Sequence, residues 1–283
     1  MPTLRTVAAL YDIHGNVPAL AAVLQELATL HSTQSIDAIV IGGDTVSGPL
    51  PGTTLELLAA VPYPVHLVRG NADREVVDAY DALQRHDDGA LEQIHATSVW
   101  AARQISRAQR DLLICAQPTV VLEIAGLGSV CCCHGSPRCD EESITRATSD
   151  ERLRRILNGV PQPVILCGHT HVQFDRLLPP WRVVNAGSVG MPYQDQPGAY
   201  WALLGAAAGV TTSPFDTQSN PAVTLRRTIY DPDTAAQAIR SATPPMPDTE
   251  DFIRKILRDP ISSSYATDLF ERQALEREAA GRA

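Results

Sequence analysis

Three times within its first 71 residues the chain runs through a short apolar stretch and stops on glycine and a polar group: "TVAALYDIHGN", "DAIVIGGD" and "VHLVRGN". Short, almost uninterrupted apolar runs suit strands buried on both faces, as strands of parallel sheets are. Between the first two, "VPALAAVLQELATL" (17–30) repeats Leu, Ala and Val at helical spacing, with Pro18 in the first turn. A Pro/Gly-rich loop at 48–52 leads into a short helix near 53–60. Strands alternating with helices in this way predict a parallel or mixed sheet.

Residues 74–116 change character. "REVVDAYDALQ", "LEQIHATSVWAARQI" and "SRAQRDLLICAQ" read as three helical pieces, a helical insertion beside the sheet. From 119 short strands return: "TVVLEIA", "GSVCCCHG", "PVILCG", "VQFDRLL", "RVVNAGSVG" and "AYWALL". Tight turns between them predict a second sheet, antiparallel in part. Two facing sheets with helices outside make an α/β fold, a four-layer αββα sandwich. "PAVTLRRTIYD" reads as a final strand, followed by helices in "DTAAQAIRSA" and "DTEDFIRKILRD". Asp231 or Asp233, and Asp248, are candidate caps; "TPPMP" is a linker and 262–283 a surface helix or frayed tail. The expected division is one domain over 1–231 and a helical extension over 232–283, packed on it or trailing from it.

Charge narrows the function. A formal net charge of −9 argues against generic nucleic-acid or anionic-membrane surfaces, which need basic patches. A small anionic substrate stays open, because bound divalent ions would dominate the local field. The first eleven residues are too short an apolar stretch for a signal segment, and no window reaches transmembrane length. Cysteines 115, 131, 132, 133, 139 and 167 cluster and do not spread as a disulfide frame. The expectation is a reduced, cytoplasmic protein, monomeric or a homo-oligomer.

The strand ends carry the chemistry. "LYDIHGN" supplies Asp12 and His14 at spacing two, "IGGD" supplies Asp44, and "VRGN" supplies Asn71. "CCCHGSP" adds His134, and "ILCGHTHVQF" adds His169 and His171, again at spacing two. Alternate residues of an extended segment share a face, and strand carboxyl ends form the functional edge of α/β sheets. Two carboxylates, one amide and four imidazoles are too many for one tetrahedral zinc and suit two ions sharing a carboxylate. Mixed nitrogen and oxygen ligands favour manganese, iron, zinc, nickel or cobalt over calcium, with manganese the first candidate. Two such ions bind both oxygens of an in-line displacement at phosphorus and lower the pKa of a water toward ~7. Hydrolysis of a phosphate ester is the chemistry implied.

In order, "DIHGN", "GGD", "GNAD", "HG" and "GHTH" resemble the signature of the calcineurin-like metallophosphoesterases, over residues 5 to about 204. The likeness is greatest to the small bacterial phosphoesterases, whose final blocks look like "NAGSVG" here. The resemblance implies the two-sheet sandwich. It also implies that Asp12, His14 and His171 hold one metal, that Asn71, His134 and His169 hold the other, and that Asp44 bridges them. A bridging hydroxide would then attack phosphorus. Such a centre would serve a phosphodiesterase or small-molecule phosphatase. A dinucleoside-polyphosphate or protein phosphatase of the superfamily is an alternative, and a metal-free scaffold on the same fold is another.

One position departs from that pattern. Many members follow the asparagine with a histidine that protonates the leaving group; here Ala72 stands there. General-acid help is worth ~10²–10⁴-fold, so its loss points toward diesters or good leaving groups. His31, His66, His86 and His95 match no motif and read as surface or packing residues, although His95 lies in the insertion and is the one candidate for a substitute acid. Asp73 reads as a cap for a helix starting at Arg74, or as a carboxylate orienting a ligand. Arg138 reads either as a phosphate clamp or as the partner of Asp140, Glu141 or Glu142. Three consecutive strand cysteines cannot converge on one metal, so Cys131, Cys132 and Cys133 read as small buried hydrophobes. Gly187 and Gly190 read as turn glycines.

Overall fold

A computed structural model describes residues 2–32, 34–205, 222–242 and 244–281. In chain order the elements are β1 (Val7–Leu10), α1 (Val17–His31), β2 (Ala38–Ile41), α2 (Pro51–Ala59) and β3 (Val65–Leu67). The insertion follows as α3 (Asn71–Arg85), α4 (Asp88–Leu91), α5 (Ala96–Ala102) and α6 (Arg107–Ile114). Next come β4 (Thr119–Ile124), β5 (Gly128–Cys133), α7 (Asp150–Ile156), β6 (Val164–Cys167), β7 (Phe174–Leu178), β8 (Trp181–Asn185) and β9 (Ala199–Leu204). The chain closes with β10 (Val223–Thr228), α8 (Pro232–Arg240), α9 (Thr249–Phe252), a π-helical stretch over Ile253–Arg258, and α10 (Ser263–Ala279).

Two mixed five-stranded sheets result, ordered β10-β9-β1-β2-β3 and β4-β5-β6-β8-β7. The first is parallel across β1, β2 and β3 and antiparallel at β9 and β10. The second is parallel across β5, β6 and β8, with antiparallel edges at β4 and β7. Val7, Ala9, Val40, Cys132, Leu166 and Val184 fill the space between the sheets. Leu10, Leu20, Val23, Leu27 and Ile41 pack the first sheet against α1, and Cys131, Cys133, Leu153, Ile156 and Ile165 pack the second against α7. The layers are therefore αββα. Strand alternation splits the cysteine triplet as expected: Cys131 and Cys133 face α7 and Cys132 faces the other sheet. Burial raises their thiol pKa values, Cys131 to about 11.

Several expectations need correction. The middle piece of the insertion splits, because Asp87 caps α4 through the Ala90 N–H and His95 leaves helical geometry to start α5. The helix at 150–156 was not expected, although Ser149 caps it, Asp150 and Glu151 fill its first turn, and Arg154 and Arg155 its last. Asp231 caps α8, whereas Asp248 precedes α9 in the left-handed conformation (φ 58°) and makes no side-chain cap bond. Residues 263–279 form a docked helix, not a frayed tail. Polar contacts fasten it: Asp195 accepts from Ser263 N and Oγ, Glu271 accepts from the Thr145 and Thr148 hydroxyls, Arg155 pairs with Glu278, and Arg277 pairs with Glu141. Helices α8 and α9 share one apolar core with the insertion, including Val76, Trp100, Ala101, Ile239 and Phe252. Pro221 and Thr243, at the starts of the expected last strand and linker, lie outside the described residues. Among the described residues no helix is long and apolar enough to cross a membrane.

Candidate metal centre

The parallel strands of both sheets deliver their carboxyl ends to one edge. Asp12 and His14 follow β1, Asp44 follows β2, Asn71 opens α3 after β3, His134 follows β5, and His169 and His171 follow β6. Pairing between β1 and β2 continues past the strands, with Asp12 N donating to Gly43 O (3.0 Å) and His14 N to Asp44 O (2.9 Å).

The spacing-two pairs do not work as strand alternation would have it. They lie beyond the strand ends, and Asp12 (φ 53°), His14 (47°), Asp44 (50°), His169 (64°) and His171 (58°) all take the left-handed conformation. That conformation costs roughly 1–2 kcal/mol for each residue bearing a Cβ. Five such residues at one sheet edge mark a site where geometry is held against local preference.

The side chains converge. One group comprises Asp12, His14, Asp44 and His171, and a second comprises Asp44, His134 and His169; ligand atoms within each lie within 4.8 Å of one another. Asp44 belongs to both, with Oδ2 3.7 Å from His14 Nε2 and Oδ1 3.4 Å from His134 Nε2. Asn71 Oδ1 sits 3.2 Å from His134 Nε2, beside the second group.

Three imidazoles are oriented by backbone carbonyls. The Nδ1–H of His14 donates to Ser47 O (2.9 Å), that of His134 to Gly42 O (2.9 Å) and that of His171 to Met191 O (2.7 Å). Each bond commits Nδ1 to the backbone and turns Nε2 inward as the atom that would meet a cation. Asp12 Oδ1 lies 3.2 Å from His171 Nε2. Asp12 is fully buried and its Oδ1 has no hydrogen-bond partner, while Oδ2 accepts from His169 N (3.0 Å). A buried, unpartnered carboxylate oxygen is costly, and a cation bound there would satisfy it. The donor set and this orphaned oxygen fit divalent metal ions.

The electrostatics agree. Burial alone would raise the Asp44 carboxyl, but His134, His14 and His169 overcome it and the pKa falls. Asp12 is likewise lowered, with burial outweighed by His171 and His134. Burial opposes protonation of His134, yet Asp44 and Asp12 push it up to about 10. His169 is pushed down to about 4 by desolvation and by the neighbouring His134. The two carboxylates thus draw in positive charge, whether proton or cation.

Other singled-out residues fall as follows. Asp73 does not cap α3, which starts at Asn71 behind Gly70. It is buried, accepts from Thr45 N (2.8 Å), Val46 N (3.2 Å) and Thr45 Oγ1 (3.2 Å), and so ties down the loop behind Asp44. Burial and the Asp44 charge raise its pKa to about 7. Arg138 forms the ion-pair alternative, with Nε 2.8 Å from Oε2 of the buried Glu142. His31 accepts from Ile36 N and packs on Tyr63, while His86 ends α3. Gly187 turns at φ +78°; Gly190 is needed for close approach, since a Cβ there would lie 1.7 Å from Ile13 O.

Neither Tyr193 nor Phe270 belongs to any motif or periodic pattern that would single it out. Tyr193 packs on His171 (centroids 4.7 Å apart), Phe270 of α10 packs on His169 (5.7 Å), and the two rings stack on each other at 6.3 Å. The conspicuous polar block "NAGS" does have a visible role: Asn185 donates to Gly168 O (2.7 Å), and Ser188 donates to Asp12 O (2.7 Å).

Gly70 sets the closeness of β3 to Asp44. A Cβ at this position would lie 2.2 Å from both Asp44 N and Asp44 Oδ1. Gly70→Ala is expected to displace Asp44, lower stability by about 1–3 kcal/mol as overpacking does, and weaken metal binding. Chemical denaturation and metal titration check this; wild-type values in both would refute the tight packing.

A profile of the calcineurin-like phosphoesterase superfamily domain matches residues 6–207. Among solved structures, hypothetical protein PH1004 from Pyrococcus horikoshii OT3 is similar at 22% identity, covering 89% of this chain and 97% of its own, with TM-score 0.68. A metallophosphoesterase from Sphaerobacter thermophilus is similar at 22% identity over 89% and 97%, with TM-score 0.60. These likenesses show the fold. No curated protein matches the chain.

Proposed function

The chain belongs to the calcineurin-like phosphoesterase superfamily, and from that membership we propose a phosphodiesterase or small-molecule phosphatase that works with two divalent cations, manganese foremost. Asp12, His14 and His171 would hold one cation, Asn71, His134 and His169 the other, and Asp44 both. The observation that carries this reading is the shared Asp44 between two buried ligand groups, with Asp12 Oδ1 unpartnered beside it. Bound there, the cations would supply Lewis acidity for phosphoryl oxygens and a nucleophile at neutral pH. The chain's own part is to hold seven ligands at fixed geometry, to orient the imidazoles through Ser47, Gly42 and Met191, and to keep water from most of the cage.

Two cavities support a diester, whose phosphorus carries two arms. One, of about 360 Å³, is polar and bordered by Asn71 and His169. The other, of about 230 Å³, is bordered by Ser47, Met191, Tyr193 and Phe252. Ser47 and Met191 are the residues whose carbonyls hold His14 and His171, so the second cavity abuts the opposite side of the cage. We place residues 1–231 as the catalytic body, with 74–116 inserted in it. Residues 232–283 are an extension that completes the cleft, with α10 roofing the first cavity.

Bis-para-nitrophenyl phosphate is expected to be hydrolysed in the presence of manganese, with activity lost in chelator and restored by metal. Full metal occupancy without turnover on this or any of a panel of monoesters and diesters would refute the enzyme and leave a metal-binding scaffold.

A further inference from the structure

The polar cavity beside the cage is where a leaving group would sit. Asn71 and His169 line it and are the only ones of the seven proposed ligands that are not buried. The cage is therefore open to this cavity. The position where a proton donor would be expected from the motif holds Ala72, a buried methyl whose N–H is committed to Asp44 Oδ1 (2.8 Å).

The insertion brings a different donor to the same cavity. Helix α3 carries Glu75 one turn beyond Asn71, on the same face, and Glu75 lines the cavity together with His95. His95 is the N-cap of α5 and is exposed. Ser98, in the first turn of α5, donates to Glu75 Oε2 (3.1 Å), which fixes the start of α5 against α3. The charged groups facing His95 across the cavity are Glu75 from α3, Glu141 from the loop after β5, His169 from the loop after β6, and Glu276 and Arg277 from α10. Arg277 is paired with Glu141 (2.6 Å) and does not give up its proton at neutral pH. Glu75 and His95 are close enough to interact through their charges.

We infer that His95 is the general acid of this centre, standing in for the residue that Ala72 replaces. As the bond from phosphorus to the leaving oxygen breaks, the imidazolium gives its proton to that oxygen and the alcohol departs. Water supplies the attacking oxygen and its released proton returns His95 to the acid form, so the step balances as diester plus water to alcohol plus phosphate monoester. Glu75 is the positioning residue. This inference rests on the phosphoester reading above.

The test uses aryl methyl phosphodiesters whose leaving groups grade from para-nitrophenol to phenol, so that size is nearly constant while leaving ability changes. His95→Asn suits it because Asn is among the best N-cap residues, which preserves α5. Turnover of the para-nitrophenyl ester is expected to change little. Turnover of the phenyl ester is expected to fall by about 10²–10⁴-fold, the usual scale of general-acid help. The decline of the phenyl-ester rate at high pH, where the acid loses its proton, is expected to vanish with it, and added imidazole is expected to restore the rate. Equal effects on all leaving groups would overturn the assignment, as would a leaving-group-dependent loss in Glu75→Gln but not in His95→Asn. A wild-type enzyme inactive on the whole series, with metals bound, would instead overturn the phosphoester reading itself.

Discussion

Asp44→Asn is expected to lower kcat/KM on bis-para-nitrophenyl phosphate by at least about 10³-fold while the protein stays folded, the scale of losing several kcal/mol of transition-state charge stabilisation. Asp44 is the one side chain common to both ligand groups, so its replacement weakens both sites at once. Asparagine is the right substitution because it tolerates the left-handed backbone that Asp44 adopts (φ 50°). Its side-chain oxygen also still accepts from Ala72 N. What it removes is charge. Cooperative thermal unfolding in chelator would show that the fold persists. Turnover near wild type, with metal content unchanged, would refute the shared-carboxylate site.

The second large effect concerns stability. Manganese at about 1,000 times its dissociation constant should stabilise the protein by about 4 kcal/mol relative to chelator, a rise in Tm on the order of 10 °C for a chain of this size. The gap should widen with pH, and the sign follows from His134. Its pKa is held up to about 10 by Asp44 and Asp12 against the cost of burial, above the ~6.5 of a free imidazole. In chelator this contributes stability that is complete below the unfolded pKa and drains away as pH rises through the folded one. A cation needs the same Nε2 lone pair and must displace that proton, so its affinity rises with pH over the same window. Differential scanning calorimetry at several pH values, with manganese and with chelator, measures the gap. A gap that narrows from about pH 6 to pH 9, or no metal-dependent shift, would contradict this competition.

Local residue pattern alone was enough to mark the strands and the polar residues that follow them. Apolar runs such as "AIVI" and "VILC" are local signals, because a strand buried on both faces must be apolar at every position, and they mark β2 and β6. The polar residue just past each run lies at the sheet edge whatever the loop does, so the convergence of Asp12, His14, Asp44, His134, His169 and His171 at one edge was legible. How they meet was not. Spacing two suggested side chains on one face of a strand, whereas His14 and His171 sit past the strands on left-handed backbone that only contacts between loops can stabilise.

The tertiary structure alone chose the orienting carbonyls of Ser47, Gly42 and Met191, because every residue has a carbonyl and its identity says nothing of where the carbonyl points. It also decided that α10 would bring Phe270 onto His169 and that His95 would share a cavity with Asn71. Helix α10 shows no apolar stripe and is held by scattered polar ties to Asp195, Thr145, Thr148, Arg155 and Glu141. Periodicity reports burial of an apolar face and is blind to a helix docked by hydrogen bonds and charge.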